Sequence, residues 1–385
     1  MTDRAAAFDP QRLDILLHNS LGAVFSAASV YVLRDGSPLY ATALGTCDPE
    51  GRFDRPPAVS ADTLFDLASL SKLFTTTALL RLITLGAATL DTPLVSILPE
   101  CAGMRPIRPY PHPLNTGEWV AVVPPTDEQI DMRRLTLRQL LTHSSGLPAW
   151  LNLRALPDNA IRWQTCFTTA LAYPPGTQVI YSDIGFILLG EVVRRLASAD
   201  SLATAMQRLV IDPLGLHVHY RPAPADPQAP IAVAPTEWCQ WRQRRITGEV
   251  HDENAASFGG VSGHAGLFGT ARDVARLGQY YLDPLPEVPL IDPDLVRLAT
   301  TAHIEDRSLG WMIRSTELSS SGAYFSAASF GHTGFTGTSL WIDPVRRLVC
   351  VLLTNAVFYG REKMAILKFR RDFHDTLIES LEGGH

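Results

Sequence analysis

Strand-like segments lie near both ends of this chain of 385 residues, and helical patterns fill most of the sequence between them. Near the start, residues 30–32 and 39–41 flank Asp35-Gly36, a pair that tolerates the positive φ of a tight hairpin turn. Near the end, two apolar runs follow at residues 339–342 and 348–354. This order predicts an α+β domain that both termini close, with a mostly helical insertion.

The helical patterns cover residues 69–86, 136–142, 184–197, 271–282 and, at the end of the chain, about 362–381. Residues 101–131 instead carry prolines at a density that excludes a long regular element: Pro106, Pro109, Pro111, Pro113, Pro124 and Pro125. A loop of this length is either a lid or binding loop, or a surface excursion without a chemical role. We predict an α/β domain from residues 1–75 and 265–385, and an inserted helical domain from residues 76–264 that contains this loop.

Composition and charge bear on the compartment and the partners. The net charge of −6 provides no basic face for nucleic acid or for an anionic membrane, so the expected partner is a small-molecule substrate. The first 11 residues lack the order of a secretory signal, and no apolar run approaches the ~20 residues of a membrane-spanning helix. We therefore expect a cytoplasmic protein, unless a signal was trimmed. Five scattered cysteines without a Cys-x-x-Cys pair are expected to be free thiols: Cys47, Cys101, Cys166, Cys239 and Cys350.

Ser69 and Lys72 stand three residues apart at the start of a predicted helix, so their side chains share one face. A serine hydroxyl is a poor nucleophile until a neighbouring group takes its proton. A lysine can take that proton if its pKa is lowered, and both burial and a helix N-terminus disfavour the ammonium. Ser69 is therefore a candidate nucleophile with Lys72 as its basic partner, although the spacing alone occurs by chance in many proteins.

The whole segment Phe65-Asp66-Leu67-Ala68-Ser69-Leu70-Ser71-Lys72 resembles the nucleophile segment of the penicillin-recognising serine hydrolases. It is most similar to the branch that contains class C β-lactamases, DD-peptidases and related esterases. The resemblance extends over about residues 25–355. It implies a β-lactamase/transpeptidase-like fold, with an antiparallel sheet flanked by N- and C-terminal helices and a mostly helical domain. It also implies catalysis through an acyl-enzyme, with no cofactor and no metal.

The second motif of this branch is Tyr-x-Asn, and Tyr181-Ser182-Asp183 stands at the matching place. By resemblance, Tyr181 shares proton transfer with Lys72, activating Ser69 and then protonating the leaving group. The departure is Asp183, where asparagine is usual. An aspartate cannot donate the amide hydrogen bond, and its charge favours the charged form of Lys72. The resemblance places Asp183 among the residues that contact substrate.

The third motif is Lys-Thr-Gly on a strand beside the active site, and His332-Thr333-Gly334 takes its place here. By resemblance these three residues contact substrate, and the backbone N–H groups of Ser69 and Phe335 form the oxyanion hole. His332 replaces the usual lysine. It can still donate a hydrogen bond, but an unperturbed histidine is mostly neutral near pH 7.

Several further residues are candidates for the site. His143 is expected to order the turn beneath it, and Trp150 either lines the pocket or is buried. His264 lies in a Gly-rich loop and is a candidate substrate contact. A metal site is an alternative for one group of residues, but their spacing matches no regular ligand pattern and the serine mechanism needs no metal: His251, Asp252, Glu253 and His264.

The two motif departures change the expected substrate in the same direction. Asparagine to aspartate adds a negative charge, and lysine to histidine removes most of a positive one. A site of this kind is less favourable for the carboxylate of penicillins and D-Ala-D-Ala peptides, so we predict an esterase-like hydrolase of small esters or amides. Arg105 or Arg108 could restore anion binding. The alternatives are a β-lactamase or DD-peptidase and, from another class, a sensor that is acylated without turnover.

Overall fold

A computed structural model of the chain describes residues 8–52, 58–115, 117–122, 129–221, 232–284, 290–315 and 319–383. The strands are β1 (Ala27–Arg34), β2 (Ser37–Gly45), β3 (Phe65–Asp66), β4 (Met104–Pro106), β5 (Tyr110–Pro111), β6 (Trp119–Val120), β7 (Gln129–Asp131), β8 (His219–Tyr220), β9 (Trp238–Cys239), β10 (Arg244–Arg245), β11 (Leu267–Gly269), β12 (Met312–Ile313), β13 (Phe330–Thr333), β14 (Ser339–Asp343) and β15 (Leu348–Thr354).

The α-helices are α1 (Gln11–Ser20), α2 (Ser71–Thr84), α3 (Leu137–Leu141), α4 (Asn159–Thr168), α5 (Asp183–Leu196), α6 (Leu202–Met206), α7 (Asp212–Leu214), α8 (Glu253–Ser257), α9 (Ala271–Leu282), α10 (Pro293–Ala299) and α11 (Met364–Glu382). Short 3₁₀ turns occur at Ala68–Leu70, Leu94–Ser96, Pro99–Cys101, Met132–Arg134, Leu153–Ala155 and Ala356–Tyr359, and a π-helical turn occupies Gln207–Ile211.

The main sheet has six strands in the order β12-β13-β14-β15-β1-β2, and every neighbouring pair is antiparallel. Its centre joins the two ends of the chain, because β1 pairs with β15 from Ala28↔Thr354 to Arg34↔Leu348. The predicted hairpin is present, with Asp35 and Gly36 both at positive φ between β1 and β2. The predicted fold class is confirmed.

Both faces of the sheet are covered, which explains the uninterrupted apolar run in β15. Its side chains alternate: Leu348, Cys350 and Leu352 pack in one cluster with α1 and α11, while Val349, Val351 and Leu353 pack in another with α9. The fold thus places α2 and the nucleophile turn on the α9 side of the sheet, next to the helical part of the chain.

The helical part is organised around α2 and α5, which pack against each other. Helix α2 begins at Ser71 rather than at residue 69, since residues 68–70 form the 3₁₀ turn that carries the nucleophile. It also runs across the domain boundary predicted at residue 75. Residues 101–131 contain only short strands in their described portion, as the prolines predict. The Pro-rich stretch 220–236 lies partly outside the described residues.

The five cysteines are all buried free thiols. In the described portion of the chain, the search for a helix with the length and apolarity to cross a bilayer finds none.

Buried neutral histidines predict a loss of stability in acid. Burial lowers the pKa of His374 in α11 to about 4 and that of His332 in β13 to about 3, from an ordinary value of 6.5. Between pH 6.5 and these values the unfolded chain binds protons that the folded chain does not, so the unfolding free energy falls as pH falls. Each histidine contributes up to about 1.4 kcal/mol per pH unit.

Denaturant unfolding at pH 7, 6 and 5 measures this slope. His374→Leu keeps the buried volume and removes one titrating group, so we expect a shallower pH dependence than in the wild type. An unchanged slope in the variant would contradict the assignment of His374.

Candidate active site

The nucleophile lies on a strained turn between β3 and α2. Ala68 adopts positive φ (46°), and its N–H donates to Asp66 Oδ1 at 2.9 Å. The same carboxylate accepts the N–H of His251 at 2.6 Å, so it fixes the turn to the loop before α8. Ser69 is thereby held at the pocket wall. Lys72 follows within the first turn of α2, on the same face.

Lys72 is fully buried and has three acceptors around its ammonium group. Its Nζ donates to Ser69 Oγ at 2.9 Å and to the carbonyl of His264 at 3.1 Å, and it lies 2.8 Å from Asp183 Oδ1. Burial lowers the pKa of Lys72, but the charges and hydrogen bonds of Asp183 and Tyr181 outweigh burial and raise it. The lowered pKa that would make Lys72 a free base is therefore absent, and Asp183 favours the charged lysine, as expected for an aspartate at this motif position.

Tyr181 lies two residues before the start of α5, with the Lys72 ammonium 4.8 Å from its ring centroid and the Ser69 and Lys72 side chains beside its hydroxyl. Burial raises the pKa of its phenol, although Lys72 opposes that shift. The ring of His143 stacks beside it at 4.5 Å between centroids. His143 Nδ1 accepts the N–H of Ser182 at 3.0 Å, so His143 orders the turn that carries Tyr181, as the sequence predicts.

The turn after β13 is tied to the nucleophile turn by side-chain hydrogen bonds. Thr336 Oγ1 donates to the carbonyl of Asp66 at 2.8 Å, and Thr338 Oγ1 donates to that of Leu67 at 3.2 Å. Gly334 permits the close approach, since a Cβ there would lie 2.7 Å from the Leu67 carbonyl oxygen. These contacts hold Phe335 beside Ser69 in the pocket wall, where their N–H groups remain the predicted oxyanion hole.

His332 lies behind the pocket wall. Its side chain is 1% exposed, and its ring centroid is 5.8 Å from that of Tyr181. Nδ1 donates to the carbonyl of Thr333 at 2.8 Å, so Nε2 is the unprotonated nitrogen of the neutral ring. Burial and the Lys72 charge lower the pKa of His332 to about 3. The predicted donation from His332 to a substrate is therefore corrected: the one ring proton is already used.

His264 is held between two side chains. Its Nε2 lies 2.9 Å from Asp252 Oδ1 and its Nδ1 lies 2.8 Å from Ser262 Oγ, and the residue is 1% exposed. The carboxylate can only accept, so Nε2 carries a proton and both ring nitrogens are occupied. His264 lines the pocket. Because its ring is fixed on both sides, its backbone carbonyl is held where it accepts a hydrogen bond from Lys72.

Three side chains in this region have ligand atoms within 4.8 Å of one another, a spacing that could hold a metal ion: Asp183, Asp252 and His264. The set differs from the sequence-based candidates, since Asp183 replaces His251 and Glu253. Two of its members are hydrogen-bonded to each other, and Asp183 ion-pairs with Lys72. The serine chemistry requires no metal at this position.

The cavity in front of Ser69 has a volume of about 470 Å³. Among the predicted site residues, Ser69, Tyr181, Asp183, Trp150, His264 and Phe335 line it. Lys72, His332, Thr333 and Gly334 do not contribute to its surface. One wall comes from the Pro-rich loop, whose lining residues include Pro111, Leu114 and Trp119. Of the two alternatives for that loop, its position favours a binding loop.

Three cations in the pocket were missed by the sequence analysis: Arg154, Arg361 and Lys363. Arg154 and Arg361 both pair with Glu253. Lys363 lies 3.9 Å above the Phe335 ring, and the described residues place no carboxylate in salt-bridge contact with its Nζ. Arg105, a predicted source of anion binding, instead donates to backbone carbonyls such as that of Phe167, and neither Arg105 nor Arg108 lines the cavity.

The arrangement can perform acyl transfer. A hydroxyl whose ammonium neighbour is itself paired with the Asp183 carboxylate faces a cavity with two backbone donors beside it, so its proton can leave through Lys72 as Oγ attacks a carbonyl. The nearby histidines do not supply a general base at the nucleophile. The Nδ1 lone pair of His143 accepts from Ser182. His332 lies outside the cavity surface, with no hydrogen-bond partner at Nε2 among the described residues. His264 is fixed between Ser262 and Asp252.

Comparison with known proteins gives a consistent picture. A family model described as "Beta-lactamase" matches residues 19–372. A protein of Escherichia coli (strain K12) named "Putative D-alanyl-D-alanine carboxypeptidase" is 29% identical over 384 residues, which cover 91% of this chain and 83% of that protein. Among solved structures, "EstCE1, a hydrolase with promiscuous acyltransferase activity" superposes with a TM-score of 0.69 at 19% identity, covering 94% of this chain and 98% of the other. "Simvastatin Synthase (LOVD)" of Aspergillus terreus gives a TM-score of 0.71 at 17% identity with both chains covered in full.

Proposed function

The chain belongs to the β-lactamase family of serine hydrolases, and on that premise we propose that it hydrolyses small carboxylic esters or amides through an acyl-enzyme on Ser69. Ser69 Oγ attacks the carbonyl carbon while its proton passes to Lys72, which gives one of its own protons to Asp183 2.8 Å away. A proton returns through Lys72 and Tyr181 to the leaving group. The N–H groups of Ser69 and Phe335 stabilise the oxyanion, and its collapse expels the alcohol or amine. Water then releases the acid.

The observation that carries the ester preference is the state of His332. The family's cation for a substrate carboxylate is absent at this position, because His332 is buried, neutral and outside the cavity surface. Asp183 adds a negative charge at the cavity wall, where its side chain is 21% exposed. Both features disfavour an anionic substrate near Ser69 and leave a neutral acyl group favoured.

A second candidate function is hydrolysis of a carboxylate-bearing substrate, a β-lactam or a peptide ending in D-alanine. Lys363 supports it, since its ammonium lies above Phe335 at the cavity wall without a carboxylate partner in the described chain. The name of the Escherichia coli relative points to the same chemistry. In this alternative the ammonium of Lys363 binds the substrate carboxylate in place of the lysine that the family has at position 332.

The test is hydrolysis of p-nitrophenyl butyrate and of a chromogenic cephalosporin side by side. We expect kcat/KM for the ester to be roughly tenfold or more above that for the cephalosporin, the ratio that about 1.4 kcal/mol of missing carboxylate binding produces. Equal or faster cephalosporin turnover would favour the second candidate. A wild-type acyl adduct that stays stable by intact mass spectrometry, without turnover, would favour an acylated sensor.

Lys363→Met separates the two functions, because methionine keeps much of the side-chain volume and removes the charge. If Lys363 binds a carboxylate, we expect the variant to lose about 10–100-fold in kcat/KM on the cephalosporin and little on the neutral ester. An equal loss on both substrates would show that Lys363 supports Phe335 rather than recognising charge.

A further inference from the structure

We propose that the hairpin of β5 and β6 forms a subsite for a bulky apolar group of the substrate, with Trp119 as the residue that determines this specificity. The group is an alkyl chain or an aromatic ring, carried either by the acyl part or by the alcohol or amine part. The inference rests on the proposed function, since it assumes that Ser69 reacts with an ester or amide in this cavity. It narrows that function to substrates with one large apolar part.

The two faces of this hairpin have different surroundings. Directly opposite residues of an antiparallel pair lie on the same face, and successive residues of a strand alternate between faces. Tyr110 pairs with Val120, and both pack in the main apolar core. Pro111 pairs with Trp119, and both line the cavity in front of Ser69. The period of the strands therefore directs one face of the hairpin to the core and the other face to the cavity.

The cavity face carries apolar surface that folding does not bury. Trp119 is 66% exposed, and Leu114, in the connection between the two strands, is 55% exposed. Both residues line the cavity. Apolar side chains of this size gain free energy by leaving water. An apolar face that stays open in the same cavity as a nucleophile is typical of a wall that binds a ligand.

Hydrogen bonds on both sides of the connection brace the hairpin. The N–H of His112 donates to the carbonyl of Glu118 at 2.9 Å. The Nδ1 atom of the same ring accepts the N–H of Leu114 at 3.2 Å and that of Asn115 at 2.9 Å. Asn115 Nδ2 also donates to Glu118 Oε2 at 2.9 Å. A wall that is held in this way loses little conformational freedom when a ligand binds, which favours affinity.

Another part of the lining is unsuitable for an apolar group. Its charged side chains include Arg154, Glu253, Arg361 and Lys363. Hydrocarbon placed over these charges would take them out of water without supplying new partners. The cavity volume of about 470 Å³ lies within the range of pockets for drug-sized ligands. An apolar group can therefore occupy the hairpin side of the cavity while the reacting carbonyl lies at Ser69.

Two series of esters test the subsite. The acyl series consists of p-nitrophenyl acetate, butyrate and octanoate, and the alcohol series of ethyl, butyl and octyl butyrate, all below the concentration at which micelles form. Each methylene that is buried raises kcat/KM about fourfold. We expect kcat/KM to rise about tenfold or more from the shortest to the longest ester of one series. The series that rises identifies the side of the carbonyl that faces the hairpin.

Trp119→Ala should remove most of this preference. We expect kcat/KM to fall about tenfold on the preferred long ester and less than about twofold on its shortest homologue. Trp119→Phe keeps an aromatic ring and should retain most of the preference, and Leu114→Ala should reduce it from a second position. Trp238→Ala is the matched control, because Trp238 is an exposed tryptophan of β9 outside the described lining of the cavity. Its rates on short and long esters should equal those of the wild type.

Three results would overturn the proposal. A kcat/KM that stays level with chain length in both series would mean that no apolar group is recognised. Equal losses of Trp119→Ala on short and long esters would mean that its side chain supports the hairpin instead. The third result comes from Ser69→Ala, which cannot form the acyl-enzyme: calorimetric titration should show octanamide binding about tenfold or more tighter than acetamide, and equal affinities contradict the subsite.

Failure of the proposed function gives a different result from failure of the subsite. If Ser69 is not the nucleophile, Ser69→Ala hydrolyses the esters as the wild type does, whereas the difference in amide binding that the hairpin produces remains.

Discussion

Replacing Ser69 with alanine is expected to lower kcat on p-nitrophenyl butyrate by a factor of about 10⁴ or more. The change removes the hydroxyl that forms the covalent bond, while Lys72, Tyr181 and the backbone donors of the wall stay in place. Any residual rate then reflects water attack helped by the oxyanion hole alone. Spectrophotometric initial rates measure the loss, and intact mass spectrometry after substrate exposure should show no acyl adduct.

Ser96→Ala is the matched control for this prediction, since Ser96 is an exposed serine whose hydroxyl donates to the carbonyl of Pro93. We expect it to retain the wild-type rate. Ester hydrolysis by Ser69→Ala within tenfold of the wild type would mean that the hydroxyl of Ser69 is not the nucleophile.

Gly263→Ala is expected to lower the free energy of unfolding by about 2–3 kcal/mol. A Cβ at Gly263 would lie 2.2 Å from the carbonyl oxygen of Phe186 and 2.8 Å from the backbone of Gly190, both in α5. Neither of these backbone atoms can rotate away, so the loop must move off the helix. The Gly263 carbonyl also accepts from Thr75 Oγ1 in α2, and this contact holds the loop against both helices.

The same substitution should reduce kcat, because the next residue supplies the carbonyl that accepts from Lys72 at 3.1 Å. A shift of about 1 Å at that carbonyl can cost up to about 10²-fold in rate. Denaturant unfolding and ester kinetics measure the two effects.

Gly185→Ala provides the comparison for stability. It lies in α5, where an added Cβ meets its nearest neighbour, Leu140, at 3.6 Å, an ordinary contact. Because alanine favours helix over glycine, we expect this variant to be as stable as the wild type or more stable by up to about 1 kcal/mol. If both glycine variants unfold at the same denaturant concentration, the close packing of Gly263 does not determine stability.

The parts of the fold and site that depend on short stretches of sequence could be predicted. The apolar run of β15, the Asp-Gly turn and the spacing of Ser69 and Lys72 are local patterns, and the structure has each of them. Tyr181 could be assigned to the site only because its segment resembles a family motif. The structure brings all three side chains into contact, although they come from segments more than 100 residues apart.

The sequence predicts that Asp183 favours a charged Lys72 and that His332 is mostly neutral, but it does not contain the distances and the burial that produce these states. The pKa of Lys72 rises because Asp183 lies 2.8 Å away, and no pattern in the sequence contains that distance. His332 is neutral because the fold buries it. Lys363 reaches the cavity from the turn before α11, which has no local signal for a binding residue.

The pairing of β1 with β15 bears on how the protein folds while it is being made. Residue 28 pairs with residue 354, so the central sheet cannot close until almost the entire polypeptide has emerged from the ribosome. At about 5–20 residues per second, β1 waits roughly 20–60 s for its neighbour. Throughout that interval the β1–β2 hairpin presents an unpaired apolar edge, the kind of surface that recruits other strands. Translation speed and chaperone supply should therefore govern the soluble yield of this enzyme more than its final stability does.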